Sequence, residues 1–271
     1  MTLAWFAPLA VALMLGVCTW LISLRLRDAS IADIAWGPIF VVMAGIGFAA
    51  GGGHPARRLL VLGLVSVWGL RLAVHLGRRN LGGPEDRRYA AMRVRHGQLW
   101  PLISLPFVFL FQPLLAFLIA APVHASLRLG AAASLGPLDL AGSLLFALGF
   151  TFETIADRQL RRFAADPKLR GHVLDSGLWR YSRHPNYFGE CMAWWGLGLI
   201  GVAAGSTLSL LGPLLLSVLL LRVSGVTLLE QTIVERRPEY AQYQRTTNAF
   251  FPGPLRRLPG TQEQPSGAPR E

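Results

Sequence analysis

Seven apolar runs of membrane-spanning length, separated by polar connections, decide what this chain can fold into. They fall at about 3–24, 32–52, 59–76, 100–123, 138–156, 188–204 and 207–229. About 20 apolar residues cross a bilayer core as a helix, and a backbone in lipid must satisfy its own polar groups. The expectation is therefore an all-α, multi-pass integral membrane bundle of about seven transmembrane helices. Composition agrees: 52% of residues are hydrophobic and 15% charged, where soluble domains carry about a quarter charged residues. A net charge of +11 would suit nucleic acid, but the basic residues sit between apolar runs, so the bilayer is the expected partner and nucleic acid is not. The two cysteines, Cys18 and Cys191, both lie in apolar runs, and the histidines show no HxxxH spacing, so no metal site is expected. The first run lacks a basic leader and a clear cleavage site, and reads as a retained span. One membrane domain is expected over 1–258, with a disordered polar tail at 259–271.

The basic residues sort the connections into two sets. Loops 25–31, 77–99 and 157–187 and the tail hold 21 of them, and the alternate connections hold 3. The positive-inside rule then puts the N-terminus outside and the C-terminus in the cytoplasm. Arg71 and Arg222 are left inside spans. Intramembrane charge marks function by default, with snorkelling to the interface as the plain alternative. Asp33, Trp36, Arg71, His75, Glu153 and Glu190 all fall at the cytoplasmic level of their spans, which points to a polar cavity opening to that side.

Chemistry concentrates in Gly177-Leu178-Trp179-Arg180-Tyr181-Ser182-Arg183-His184-Pro185-Asn186-Tyr187-Phe188-Gly189-Glu190. Pro185 and Asn186 mark a helix start, with Asn186 as a preferred N-cap. Free N–H groups at that start, with Arg180 and Arg183 before it, make an anion site. The bland reading is a basic anchor with an interfacial aromatic belt. Upstream, Glu153, Asp157 and Arg161 recur every four residues and share one helix face. Gly82-Gly83-Pro84 breaks helix, and the charges after it suggest a surface helix.

These pieces resemble the membrane-embedded steroid 5α-reductase-like superfamily, most closely its bacterial branch of unknown function. The matching residues are Ser30-Ile31-Ala32-Asp33-Ile34-Ala35-Trp36-Gly37, Trp68-Gly69-Leu70-Arg71-Leu72, Pro84-Glu85-Asp86-Arg87-Arg88-Tyr89, Asp157-Arg158-Gln159-Leu160, Gly177 to Glu190, and the tail with Tyr240, Tyr243 and Pro252. The resemblance covers nearly the whole chain. It implies a bacterial inner-membrane enzyme that passes a hydride from NADPH to an activated carbon–carbon double bond of a membrane lipid. It further implies that Asp157, Asn186 and Glu190 face the cofactor, that Tyr181 and Tyr187 line its site beside His184, and that Arg161, Arg180 and Arg183 take its phosphates. Tyr243 is carried over from the tail. The Glu and Tyr with which steroid reductases polarise a carbonyl have no motif match; Asp33 and Arg71 stand at that level as candidate catalytic groups.

Arg183-His184-Pro185-x-Tyr187 is also similar to the S-adenosylmethionine-dependent membrane methyltransferases of prenylcysteine and phospholipid amines. These carry a glutamate near the end of the last helix, where Glu230 stands here. Asn186, Gly189-Glu190 and Asp157-Arg158-Gln159-Leu160 follow the reductase pattern instead. Reduction is the first expectation and methyl transfer the alternative.

Overall fold

The computed structural model describes residues 2–223, 230, 233 and 237–254. Among these all regular structure is helix, and there is no strand. The helices are α1 (Thr2–Leu26), α2 (Ile31–Ala50), α3 (Pro55–Asn80), α4 (Arg87–His96), α5 (Trp100–Ser104), α6 (Phe111–Ile119), α7 (Ala121–Arg128), α8 (Pro137–Ala165), α9 (Pro185–Ala203), α10 (Leu211–Val218) and α11 (Tyr240–Thr246). Five helical stretches are long and apolar enough to cross a membrane: Trp5–Leu26, Ile31–Ala50, Pro55–Asn80, Arg87–Ile119 and Pro137–Ala165. A shorter apolar helix covers Thr207–Val223. The expected span at 188–204 falls on α9, which is not among these stretches, so five of the seven expected spans have a matching long apolar helix among the described residues. By length and composition this is a multi-pass integral membrane protein in contact with lipid. The end of the seventh expected span, 224–229, and the tail at 259–271 lie outside the described residues.

Two compact units are distinguished. The first comprises Met1–Phe150 and Cys191–Ser217. Here α2 and α3 cross at Gly37 and Gly69, where a Cβ on either residue would run into the other's backbone carbonyl. Gly142 of α8 and Gly196 of α9 meet in the same way. Lipid tails give no hydrophobic reason for helices to associate, so close backbone approach at small residues has to supply the packing. Phe40, Trp68 and Trp194 fill the space beside the α2–α3 crossing, with ring centroids 4.8–5.4 Å apart. On the other side of α3, Leu59, Val67, Leu70 and Val74 form an exposed apolar stripe that suits lipid.

Two features of this unit depart from a simple span. The expected run 100–123 is α5 and α6 joined by a π-helical stretch, Leu105–Leu110, that contains Pro106. Proline lacks an N–H and crowds the preceding turn, and the wider π spacing accommodates it. The surface helix expected after Gly82-Gly83-Pro84 is α4, capped by Asp86, whose carboxylate accepts from Arg88 N at 3.0 Å.

The second unit comprises Thr151–Glu190 and Val218–Glu271. It holds the end of α8, the 3-10 turns Pro167–Leu169 and Gly177–Arg180, the start of α9, and α11. Helix α8 runs nine residues past the expected span end at 156. Within the extension Arg158, Arg161 and Arg162 are exposed, Leu160 and Phe163 are half-buried, and Asp157 is buried. Helix α9 starts at Pro185, so His184 occupies the cap position and Asn186 lies inside the first turn. This corrects the assignment of Asn186 as N-cap; proline at the first helical position loses no bond and has the right φ.

Candidate functional site

The motif loop is built onto the end of α8. Gln159 Oε1 accepts from Leu178 N at 3.0 Å, and Trp179 Nε1 donates to Ala156 O at 3.1 Å. Gly177 adopts φ +62°, and any side chain there would collide with Gln159. The turn is thus seated by a glycine that both the backbone and the contact require. Past the turn, in the first turn of α9, Asn186 Nδ2 donates to Asp157 Oδ1 at 3.2 Å. That bond joins the two pieces of sequence, the α8 acid and the motif asparagine, that the resemblance placed together.

Beyond the turn, basic and acidic groups converge on Glu230. Arg183 grips its carboxylate with both edges, Nε to Oε1 at 2.6 Å and Nη2 to Oε2 at 2.8 Å. His184 Nε2 stands 3.0 Å from Oε1; an ionised carboxylate only accepts, so this nitrogen carries a proton. Gln244 Nε2 donates to Oε2 at 3.1 Å, and the Tyr240 hydroxyl approaches Oε1 at 3.4 Å. Burial would push the Glu230 carboxyl up, but the hydrogen bonds from His184 and Arg183 and their charge outweigh it and hold it at about 2. Arg183 is raised in turn: burial works against its charge, and the bonds to Glu230 prevail. Burial also raises Tyr240 and Tyr243, reinforced by the negative groups near them.

A cavity of about 1030 Å³ opens next to this cluster. One wall is the segment 169–177 with Phe163 and Arg180; the other is α11 and its ends, through Glu239, Gln242, Tyr243, Thr246 and Thr247. Its charged lining is one guanidinium, Arg180, and two carboxylates, Asp175 and Glu239. Ser176, Gln242, Thr246 and Thr247 add hydroxyls and an amide.

The expected residues therefore fall into distinct places. Arg180 and Tyr243 line the cavity, and the Tyr243 hydroxyl is committed to the carbonyl of Trp179. Arg183 and His184 serve Glu230, and Tyr187 stacks on His184 with centroids 5.6 Å apart. Tyr181 is 48% exposed, and its carbonyl accepts from Gly253 N at 3.1 Å. Arg161 is exposed on α8 and is not part of the cavity lining; Glu190 is half-buried in α9. An anion could reach Arg183 only by displacing Glu230, so its expected phosphate contact is not available as the chain stands. Asp33 and Arg71 belong to the first unit. Asp33 accepts from the Tyr89 hydroxyl and from Arg88 Nη2, both at 2.7 Å, and Tyr89 accepts from Gln112 at 3.1 Å. The Arg71 guanidinium lies 6.0 Å from the Phe150 ring centroid.

Sequence reasoning missed Glu230 as the hub and Tyr89 as the partner of Asp33. A signal existed for each. Glu230 is an acid directly after an apolar run, in a basic tail, and Tyr89 ends the charged stretch Pro84 to Tyr89.

Comparison with known proteins identifies the family. Residues 19–247 match a family described as a protein of unknown function, DUF1295. An uncharacterized protein of Schizosaccharomyces pombe (strain 972 / ATCC 24843), C594.04c, is 26% identical over 270 residues, covering 90% of this chain and 78% of that protein. The family match takes in the α2 acid, the α8 end, the motif loop, Glu230 and α11 together, and the chain belongs to the DUF1295 family.

Proposed function

We propose that this protein is a membrane-embedded reductase that transfers a hydride from NADPH to an activated carbon–carbon double bond of a lipid. The observation that carries the reading is the cavity between the motif loop and α11. Its size lies at the upper end of the roughly 300–1,000 Å³ usual for ligand sites, which suits a nucleotide cofactor better than a small anion. Within the lining Arg180 would hold a phosphate, while Asp175, Glu239, Ser176 and Thr246 would meet sugar hydroxyls. When bound, NADPH would supply the hydride. Within the first unit, Asp33 and Gln112 fix the Tyr89 hydroxyl, and Arg88 balances the Asp33 charge.

The test is titration of the purified protein in detergent with NADPH, NADH and S-adenosylmethionine. NADPH should bind. Arg180→Ala should weaken it about ten- to a hundredfold, the loss of one charged hydrogen-bonded contact. A second reading, S-adenosylmethionine-dependent methyl transfer, is favoured by one specific observation. The cavity lining carries two carboxylates, Asp175 and Glu239, against one guanidinium, a balance that suits a sulfonium cation. Binding of S-adenosylmethionine with no competition from 2′-phospho-AMP would replace reduction by methyl transfer.

A further inference from the structure

The segment 237–253 is fastened to the motif loop along its length. Arg237 Nη1 donates to His172 O at 2.6 Å. The Tyr243 hydroxyl donates to Trp179 O. Beyond α11, Arg183 N donates to Asn248 O at 2.9 Å, Ser182 Oγ to Phe250 O at 2.7 Å, and Gly253 N to Tyr181 O at 3.1 Å. Arg183 contributes most. Its Nη1 donates to Gln244 O at 2.9 Å and Thr247 O at 2.6 Å, carbonyls at the end of α11 where a helix leaves acceptors unpaired. Its other two nitrogens hold Glu230, which holds Gln244 of the same helix. The guanidinium fork is thus spent on three acceptor groups of its own chain, and its side chain is 10% exposed. No edge of it is left for a ligand.

Helix α11 is also one wall of the cavity, and Arg183 is absent from the lining. We propose that Arg183 is a positioning residue: with Glu230 as its anchor it docks α11 against the motif loop and so shapes the cavity, without touching the ligand. This rests on the reading that the cavity holds the nucleotide. It reverses the usual inference from a basic residue near a nucleotide site, that it grips phosphate. Glu230 is then the residue that stops Arg183 from doing so.

The two roles give opposite results in Glu230→Gln, a near-isosteric change that keeps the side chain's volume. Loss of the anchor should weaken NADPH and NADH by the same factor, about tenfold or more, because the wall moves for both. Arg183→Ala should do the same, whereas Arg180→Ala should hurt NADPH more than NADH. Hydrogen exchange of the nucleotide-free protein should quicken in 237–253 and stay as in the parent across α2 and α3. If Glu230→Gln tightens NADPH relative to NADH, Arg183 meets phosphate and the inference is overturned. Unchanged exchange in 237–253 overturns it as well. Should the parent bind neither dinucleotide, the reductase reading falls by itself. The exchange result then decides the clamp alone.

Discussion

Replacing Asp139 with Asn should cost the first unit more than any other conservative change in it. Arg57, in the first turn of α3, is 1% exposed, and Asp139, in the first turn of α8, is 2% exposed. They meet in a two-pronged pair, Nε to Oδ1 at 2.7 Å and Nη2 to Oδ2 at 2.8 Å. Arg57 also donates to the carbonyls of Ala133 and Ser134, both at 3.1 Å, and Asp139 accepts from Gly136 N at 2.9 Å. The pair therefore holds the loop between α7 and α8 as well as two helix starts. A cation at a helix N-terminus is itself unfavourable, and Asp139 offsets it. Asparagine keeps the shape but leaves a buried guanidinium without its counter-charge, which costs about 3–5 kcal/mol. At about 2–4 °C per kcal/mol for a chain of this size, the apparent Tm should fall by about 10 °C. The assay is a thermal scan of intrinsic fluorescence in detergent at one fixed rate, since such unfolding is irreversible. Arg57→Met with Asp139→Leu removes both charges, and should recover part of the loss. An Asp139→Asn protein melting within 2 °C of the parent would refute the reasoning.

Other expectations can be checked directly. Gly37→Val should push α2 from α3 and reduce monodisperse yield, because a Cβ there collides with the Gly69 carbonyl; Gly63→Val, with nothing within 4 Å, should not. Size-exclusion profiles of the two decide it. Glu230 sits below its ordinary value of 4.5, at about 2, so its stabilising contribution is complete above about 4.5 and is lost as pH falls towards 2. The loss should be at most about 3 kcal/mol, at 1.36 kcal/mol per pKa unit; melting against pH should flatten over this window in Glu230→Gln. The basic bias of 21 to 3 predicts an external N-terminus and a cytoplasmic C-terminus. Reporter fusions giving both ends on one side would dismiss that orientation.

The membrane architecture was legible because spanning helices are local objects. A run of apolar residues states its own length, and Gly82-Gly83-Pro84 and Pro185 punctuate the chain without outside help. The π stretch at Leu105–Leu110 was less so, since Pro106 in a run of apolar residues signals a defect but not which spacing absorbs it. The site was harder for a physical reason: charge identifies a residue's need, not the residue that meets it. The loop 157–187 holds seven basic residues against three acidic ones, and on that surplus Arg183 reads as a phosphate ligand. Its carboxylate lies 47 residues downstream, past two apolar runs. Asp33 behaves alike. Its depth in the span was readable, but its partner Tyr89 is 56 residues away on a helix that only the fold brings near. Asp157 and Asn186, 29 residues apart, were placed together by resemblance and not by any rule of spacing. A buried charge in a membrane protein must find its counter-charge somewhere. Each surplus cation near an apolar run is therefore better read first as a missing partner, and as a ligand site only once that partner has been found elsewhere. By that order Arg183 is read first as the partner of Glu230, and Arg180, exposed on the cavity wall, is the guanidinium whose part in binding the titration decides.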